Sequence, residues 1–168
     1  MQTLANSSVA FIGAGNMASS LIQGLLRDGL PLRQIHVADP IAEQRDKLAT
    51  LGVAVYADNN LAIASADAIV LAVKPQVAQK VVCELNDLRP SQVLISIAAG
   101  INLESLASWT SAEQAIVRCM PNTPALLGAG MSALYANHCC TERQRDIATQ
   151  ILDATGDTLW VPEDGALD

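Results

Sequence analysis

The chain has 168 residues, half of them apolar, and a formal net charge of −7; this length suits one ordinary domain with enough core to fold alone. The acidic balance argues against nucleic acid or an anionic membrane as partner, so a bound anion must be held by local dipoles. No stretch approaches the roughly 18 apolar residues of a membrane span and no secretion signal opens the chain, so the reading is a cytoplasmic protein with no membrane partner.

Val9–Ile12 is a short apolar run that leads into Gly13-Ala14-Gly15-Asn16-Met17-Ala18 and an amphipathic helix over residues 16–28. A buried strand, a glycine turn and a helix, in that order, are how a dinucleotide pyrophosphate is held. Gly13 permits the tight turn and Gly15 lets the backbone approach the phosphates, while Ala18 takes the small position where helix meets sheet. The unpaired amides of the helix's first turn and its dipole supply the attraction, so no lysine is required. The pattern alone is a weak signal; its place between strand and helix gives it weight. Gly29 and Pro31 end the helix.

The second strand, Gln34–Asp39, ends on a carboxylate about 20 positions beyond the turn. Asp39 is either the acceptor for the adenosine ribose hydroxyls, repelling the extra phosphate of NADP, or an Asx turn with Pro40. Arg45, in a helix over residues 41–51 closed by Gly52, partly offsets that repulsion, and the choice between NADP and NAD stays open. Val53–Tyr56 forms the third strand. The fourth, Ala68–Val73, runs into Ala72-Val73-Lys74-Pro75-Gln76 and a helix over residues 76–85. Ligands of open parallel sheets bind beyond the strands' carboxyl ends, which puts Lys74 at the mouth of a site or simply in solvent at a helix start.

The fifth strand, Val93–Ile97, ends in Ile97-Ala98-Ala99-Gly100, where small residues leave space for a flat ring or permit close helix packing. After a helix over residues 102–108 comes the sixth strand, Ala115–Cys119, then the stiff loop Arg118-Cys119-Met120-Pro121-Asn122-Thr123-Pro124. Asn122 there either presents an amide to ligand or belongs to a structural turn. A helix over residues 141–154, with Thr141 as N-cap, and a strand Asp157–Val161 complete the alternation.

The cysteines Cys83, Cys119, Cys139 and Cys140 lack metal-ligand spacing. His138 beside Cys139 and Cys140 offers soft-metal ligands, but buried or incidental thiols in a reducing cytosol are the plainer reading. His36 in a strand and His138 in a loop make no convincing general acid, so no catalytic residue and no metal ligand is assigned. The fold expected is α/β, a Rossmann-like doubly wound, mostly parallel sheet with helices on both faces. Residues 1–161 form this dinucleotide-binding domain, and Pro162–Asp168 has the composition of a linker.

Four motifs together resemble those of delta-1-pyrroline-5-carboxylate reductases: Phe11–Ala18, Ala72–Gln76, Ser96–Ile101 and Arg118–Pro124, in the family's order and spacing. The resemblance implies NAD(P)H-dependent hydride delivery to the C=N carbon of 1-pyrroline-5-carboxylate, giving L-proline. It carries the pyrophosphate contacts to Ile12, Gly13, Ala14, Gly15, Asn16 and Met17, the ribose or 2′-phosphate position to Asp39, and an adenine-side contact to Asn59. Ala72, Val73, Lys74, Pro75, Ile97, Ala98 and Ala99 correspond to segments bordering the nicotinamide. Relatives preferring NADPH often have a neutral or basic residue where this chain has Asp39. The resemblance also implies a further helical domain beyond Asp168, which joins subunits into a homo-oligomer and holds the substrate carboxylate. Alternatives from the same motifs are a related hydroxy-acid dehydrogenase and a non-catalytic nucleotide-sensing module.

Overall fold

The computed structural model describes residues 2–122 and 128–168, with side chains from residue 4 onward. One eight-stranded sheet runs through it in the order β3-β2-β1-β4-β5-β6-β7-β8. These strands are β1 (Val9–Ile12), β2 (Ile35–Ala38), β3 (Ala54–Tyr56), β4 (Ala68–Leu71), β5 (Val93–Ser96), β6 (Ala115–Pro121), β7 (Gly130–Ala136) and β8 (Gly156–Trp160). Neighbours from β3 to β6 are parallel, β7 is antiparallel to β6, and β8 is parallel to β7. The strand order reverses between β1 and β4, and a crevice opens there at the carboxyl edge.

Alternate strand residues feed two separate apolar layers. Val9, Phe11, Val70, Ile95 and Val117 pack on α1 (Gln2–Ala5), α2 (Asn16–Arg27), α3 (Ala42–Ala49) and α7 (Glu142–Leu152). Ala10, Ile12, Ile69, Leu71, Leu94 and Ile116 pack on α4 (Asn59–Ile63), α5 (Pro75–Cys83) and α6 (Leu103–Ser108). Burial on both faces explains why the strands read as unbroken apolar runs. Helix α2 ends in a Schellman turn, the Leu30 amide donating to Leu25 O and the Gly29 amide to Leu26 O, with Gly29 at φ +100°.

At the amino edge, side-chain amides replace missing strand partners. Gln92 Nε2 donates to the carbonyls of Ile63 and Ala66, Gln114 Nε2 to that of Gln92, and Asn137 Nδ2 to that of Gln114. These bonds satisfy buried carbonyls that would otherwise be costly.

Besides the short helix α1, three features depart from expectation. Strand β7 is additional: its inward positions Gly130, Ser132, Leu134 and Ala136 include one large apolar side chain, so its alternation is faint in sequence. Its pairing also extends β6 through Met120 and Pro121, residues expected in a loop; Pro121 stands opposite Ser132 at the strand's end, where a missing donor is tolerated. Helix α4 is a further addition, five residues long and capped by Asp58, too short to show a period. Finally, the linker-like tail is folded down: Asp164–Leu167 forms a 3₁₀ turn with Leu167 buried. Arg118 holds it through ion pairs to Asp164 and Asp168 at 3.0 and 2.8 Å.

Candidate functional site

The turn between β1 and α2 is fixed from both sides. The Gly13 amide donates to Ala38 O at 2.8 Å, and the Ala72 amide donates to Ile12 O at 2.8 Å. Gly13 has φ +103°, and a Cβ on it would stand 2.5 Å from the Ala72 carbonyl oxygen, so only glycine fits. Gly15 is different. It caps α2 with φ −79°, and a Cβ there would meet, among the described residues beyond its chain neighbours, no atom within 4 Å. No side chain caps α2, whereas Asp58, Asn102 and Thr141 cap α4, α6 and α7. The first-turn amides of Asn16 and Met17 therefore lack an intrahelical acceptor beside open space, with the positive end of the helix dipole behind them.

Two cavities flank this turn and share Val73. One, of about 450 Å³, is lined by Ile12, Gly13, Asp39, Asn59, Val73, Lys80 and Glu84, with Val77 and Val81 beneath. The other, of about 320 Å³, is lined by Met17, Ala72, Val73, Lys74, Pro75, Ile97, Ala98, Ala99, Met120 and Pro121. Most sequence-predicted residues thus gather along one crevice at the carboxyl edge. Lys74 stands at the N-cap of α5 with its side chain exposed, and Pro75 takes the first helical position. Val77, Lys80, Val81 and Glu84 were missed as site residues, although their spacing of three and four puts them on one helical face.

Two predicted residues are engaged within the protein. The Asp39 carboxylate accepts the amides of Ala14 at 2.9 Å and Ile41 at 2.8 Å, the second being the Asx turn weighed from sequence. This corrects the place of Ala14: its amide is bonded to Asp39 and is not among those left open to an anion. Asn122 lines neither cavity; its Oδ1 accepts the Met131 amide at 3.0 Å, tying the end of β6 to the start of β7. Thr123 and Pro124 of the same motif lie outside the described residues.

A separate cavity of about 360 Å³ between α6 and β7, lined by Glu104, Tyr135 and His138 among others, contains none of the candidate residues. Burial lowers the pKa of His36, whose Nδ1 lies 3.0 Å from the Tyr56 hydroxyl on the sheet's far strands. Among the described residues all four cysteines are free and no three metal-ligating side chains come together. Burial pushes the thiols of Cys119 and Cys140 up to about 12 and about 11, so both are protonated and inert at neutral pH. No helix among the described residues is long and apolar enough to cross a membrane.

Residues 8–100 match the model of the family described as NADP oxidoreductase, coenzyme F420-dependent. Pyrroline-5-carboxylate reductase of Pseudomonas aeruginosa is 49% identical over 163 residues, covering 95% of this chain and 59% of that protein. The structure of a pyrroline-5-carboxylate reductase from Coxiella burnetii superposes with a TM-score of 0.93 at 33% identity, over 96% of this chain and 61% of that one. That of Plasmodium falciparum pyrroline carboxylate reductase, with NADP bound, superposes at 0.84 and 26% identity, over 95% of this chain and 59% of that one. The chain thus spans about three-fifths of the length of the relatives it matches. It is a member of the NADP oxidoreductase, coenzyme F420-dependent, family, and within it matches the amino-terminal part of pyrroline-5-carboxylate reductases.

Proposed function

We propose that this chain is the cofactor-binding part of an NAD(P)H-dependent pyrroline-5-carboxylate reductase, which reduces the cyclic imine to L-proline. The observation that carries this reading is the uncapped start of α2, set between two cavities that meet at Val73. The fit is physical: the space where a Gly15 Cβ would project is empty of protein, as a closely seated diphosphate needs.

When bound, the cofactor supplies the hydride, so the protein needs no nucleophile of its own. The amides of Gly15, Asn16 and Met17 would hold the two phosphates, and the cavity lined by Asn59 and Val77 would take the adenosine end. Lys74, Ile97, Ala98 and Ala99 would border the nicotinamide, and the apolar side chains of Met17 and Met120 in the same cavity would help exclude water. Positioning against the imine carbon is the protein's main contribution.

We place the substrate-carboxylate ligands, the proton donor and the contacts of a homo-oligomer in the portion of the relatives that this chain does not span. The four free cysteines favour a cytoplasmic location.

Calorimetric titration of the chain with NADPH and with NADH tests the reading. Saturable 1:1 binding of at least one is expected, and no binding of either would overturn it. Imine-reductase turnover by this chain alone should be negligible beside that of a full-length relative; equal turnover would overturn the assignment of substrate groups elsewhere.

A further inference from the structure

Asp39 is 8% exposed, and every one of its polar groups has a partner inside the protein. Its amide donates to Tyr56 O at 3.1 Å and its carbonyl accepts Arg45 Nη1 at 2.8 Å. Its Oδ1 accepts the Ile41 amide at 2.8 Å and its Oδ2 accepts the Ala14 amide at 2.9 Å. The last bond ties the end of β2 to the middle of the glycine turn, 25 residues earlier in the chain. Together with Gly13 N to Ala38 O, it makes two adjacent anchors from the β2 end to that turn.

We propose that Asp39 is a positioning residue for the glycine turn, and that its carboxylate does not select between NADH and NADPH. This rests on the cofactor site proposed above. A carboxylate accepting two amide bonds in a nearly dry place makes charge-assisted bonds, roughly twice as strong as neutral ones. Releasing the Ala14 amide would free the turn to swing, and the open first-turn amides of Asn16 and Met17 would lose their common aim. The same two amides set positive partial charge against the carboxylate oxygens, and the Arg45 guanidinium, bonded to the Asp39 carbonyl, adds a full positive charge on the backbone side of the same residue. Its repulsion of a ribose 2′-phosphate is thereby weakened, which reconciles an acidic residue at the end of β2 with NADPH as well as NADH.

The experiment compares wild type, Asp39→Ser and Asp39→Asn by calorimetry with NADH and NADPH, and by amide hydrogen exchange at Ala14 and Ile41. Asp39→Ser should weaken both cofactors about tenfold or more, with the NADPH to NADH affinity ratio unchanged within about twofold. It should also speed exchange at Ala14 while leaving the core amides of β4 and β5 protected. Asp39→Asn keeps one acceptor oxygen and should recover part of the loss. A tenfold shift of the ratio toward NADPH, with exchange at Ala14 unchanged, would overturn the proposal and restore the carboxylate to the ribose. Failure of wild type to bind either cofactor would sink the site itself, while the exchange arm would still decide whether Asp39 holds the turn.

Discussion

Arg118, with its side chain 1% exposed on β6, meets the Asp164 carboxylate at 3.0 Å. Asp164 also accepts the Leu103 amide at 2.9 Å, so one carboxylate joins the terminal turn to both β6 and the start of α6. Burial works against the guanidinium charge, but the hydrogen bonds and charges of Asp168 and Asp164 outweigh it and raise its pKa. Removing one partner of such a pair strands the other. Asp164→Ala should therefore cost about 3 kcal/mol in urea unfolding. Asp168, 64% exposed, should cost under about 1 kcal/mol when replaced by Ala. Equal losses at the two positions would refute this ranking.

Gly13 and Gly15 should separate stability from binding. Gly13→Ala forces a positive φ on a residue with a Cβ against the Ala72 carbonyl, and should lower stability by about 1–3 kcal/mol. Gly15→Ala meets no protein atom and should leave the melting temperature nearly unchanged. Cofactor affinity should nevertheless fall at least tenfold in Gly15→Ala, because its methyl would enter the space in which the proposed site seats the phosphates. Thermal melts and calorimetry on the two variants check this; a Gly15→Ala protein that binds normally contradicts the seating of the diphosphate.

Gly24 reverses the usual helix rule. Glycine to alanine inside a helix ordinarily stabilises by about 1 kcal/mol. Here the new methyl would collide with the Ala154 carbonyl, which Arg27 Nη2 holds at 3.0 Å. Gly24→Ala should thus destabilise by about 1–3 kcal/mol, as overpacking does. Chemical denaturation gives the sign directly, and a stabilised variant would mean that the 153–155 turn yields freely.

Much of this architecture was legible in the chain. Continuous apolar runs such as Val9–Ile12 and Ala68–Leu71 announce strands buried on both faces, and Thr141 with Gln144 forms the capping box that starts α7. What escaped depended on partners distant in sequence. Strand β7 has few large apolar residues and is defined by pairing with β6, so no local period marks it. The bonding of Asp39 to Ala14 also depends on the β1–β2 register, which brings a carboxylate beside a turn 25 residues away. Asn122 was recognised as notable, yet its bond to Met131 required knowing that β7 returns alongside β6.

Cys119 gives the fold an alkaline weakness. Burial raises its pKa from about 9 to about 12, against an opposing hydrogen bond from Ser132. The folded state keeps this proton where the unfolded chain releases it, so the stabilisation is complete below pH 9 and is lost as pH rises from about 9 to about 12. Over that window stability should fall by up to about 1.4 kcal/mol per pH unit from this group. Denaturation midpoints at pH 8 and pH 10.5 should diverge less in Cys119→Ala than in wild type. Parallel curves would assign the alkaline loss to other groups.

The two cavities that share Val73 bear on how affinity is assembled. An adenosine fragment and a nicotinamide fragment would each find a half-site, and each alone would be held weakly. Joined through a diphosphate bridge over the glycine turn, the second fragment arrives tethered, at a local concentration that free solution does not reach. Rigidity in that turn then decides how much of the tethering gain survives, because a wavering bridge seat leaves the two halves almost as independent as if they were never linked.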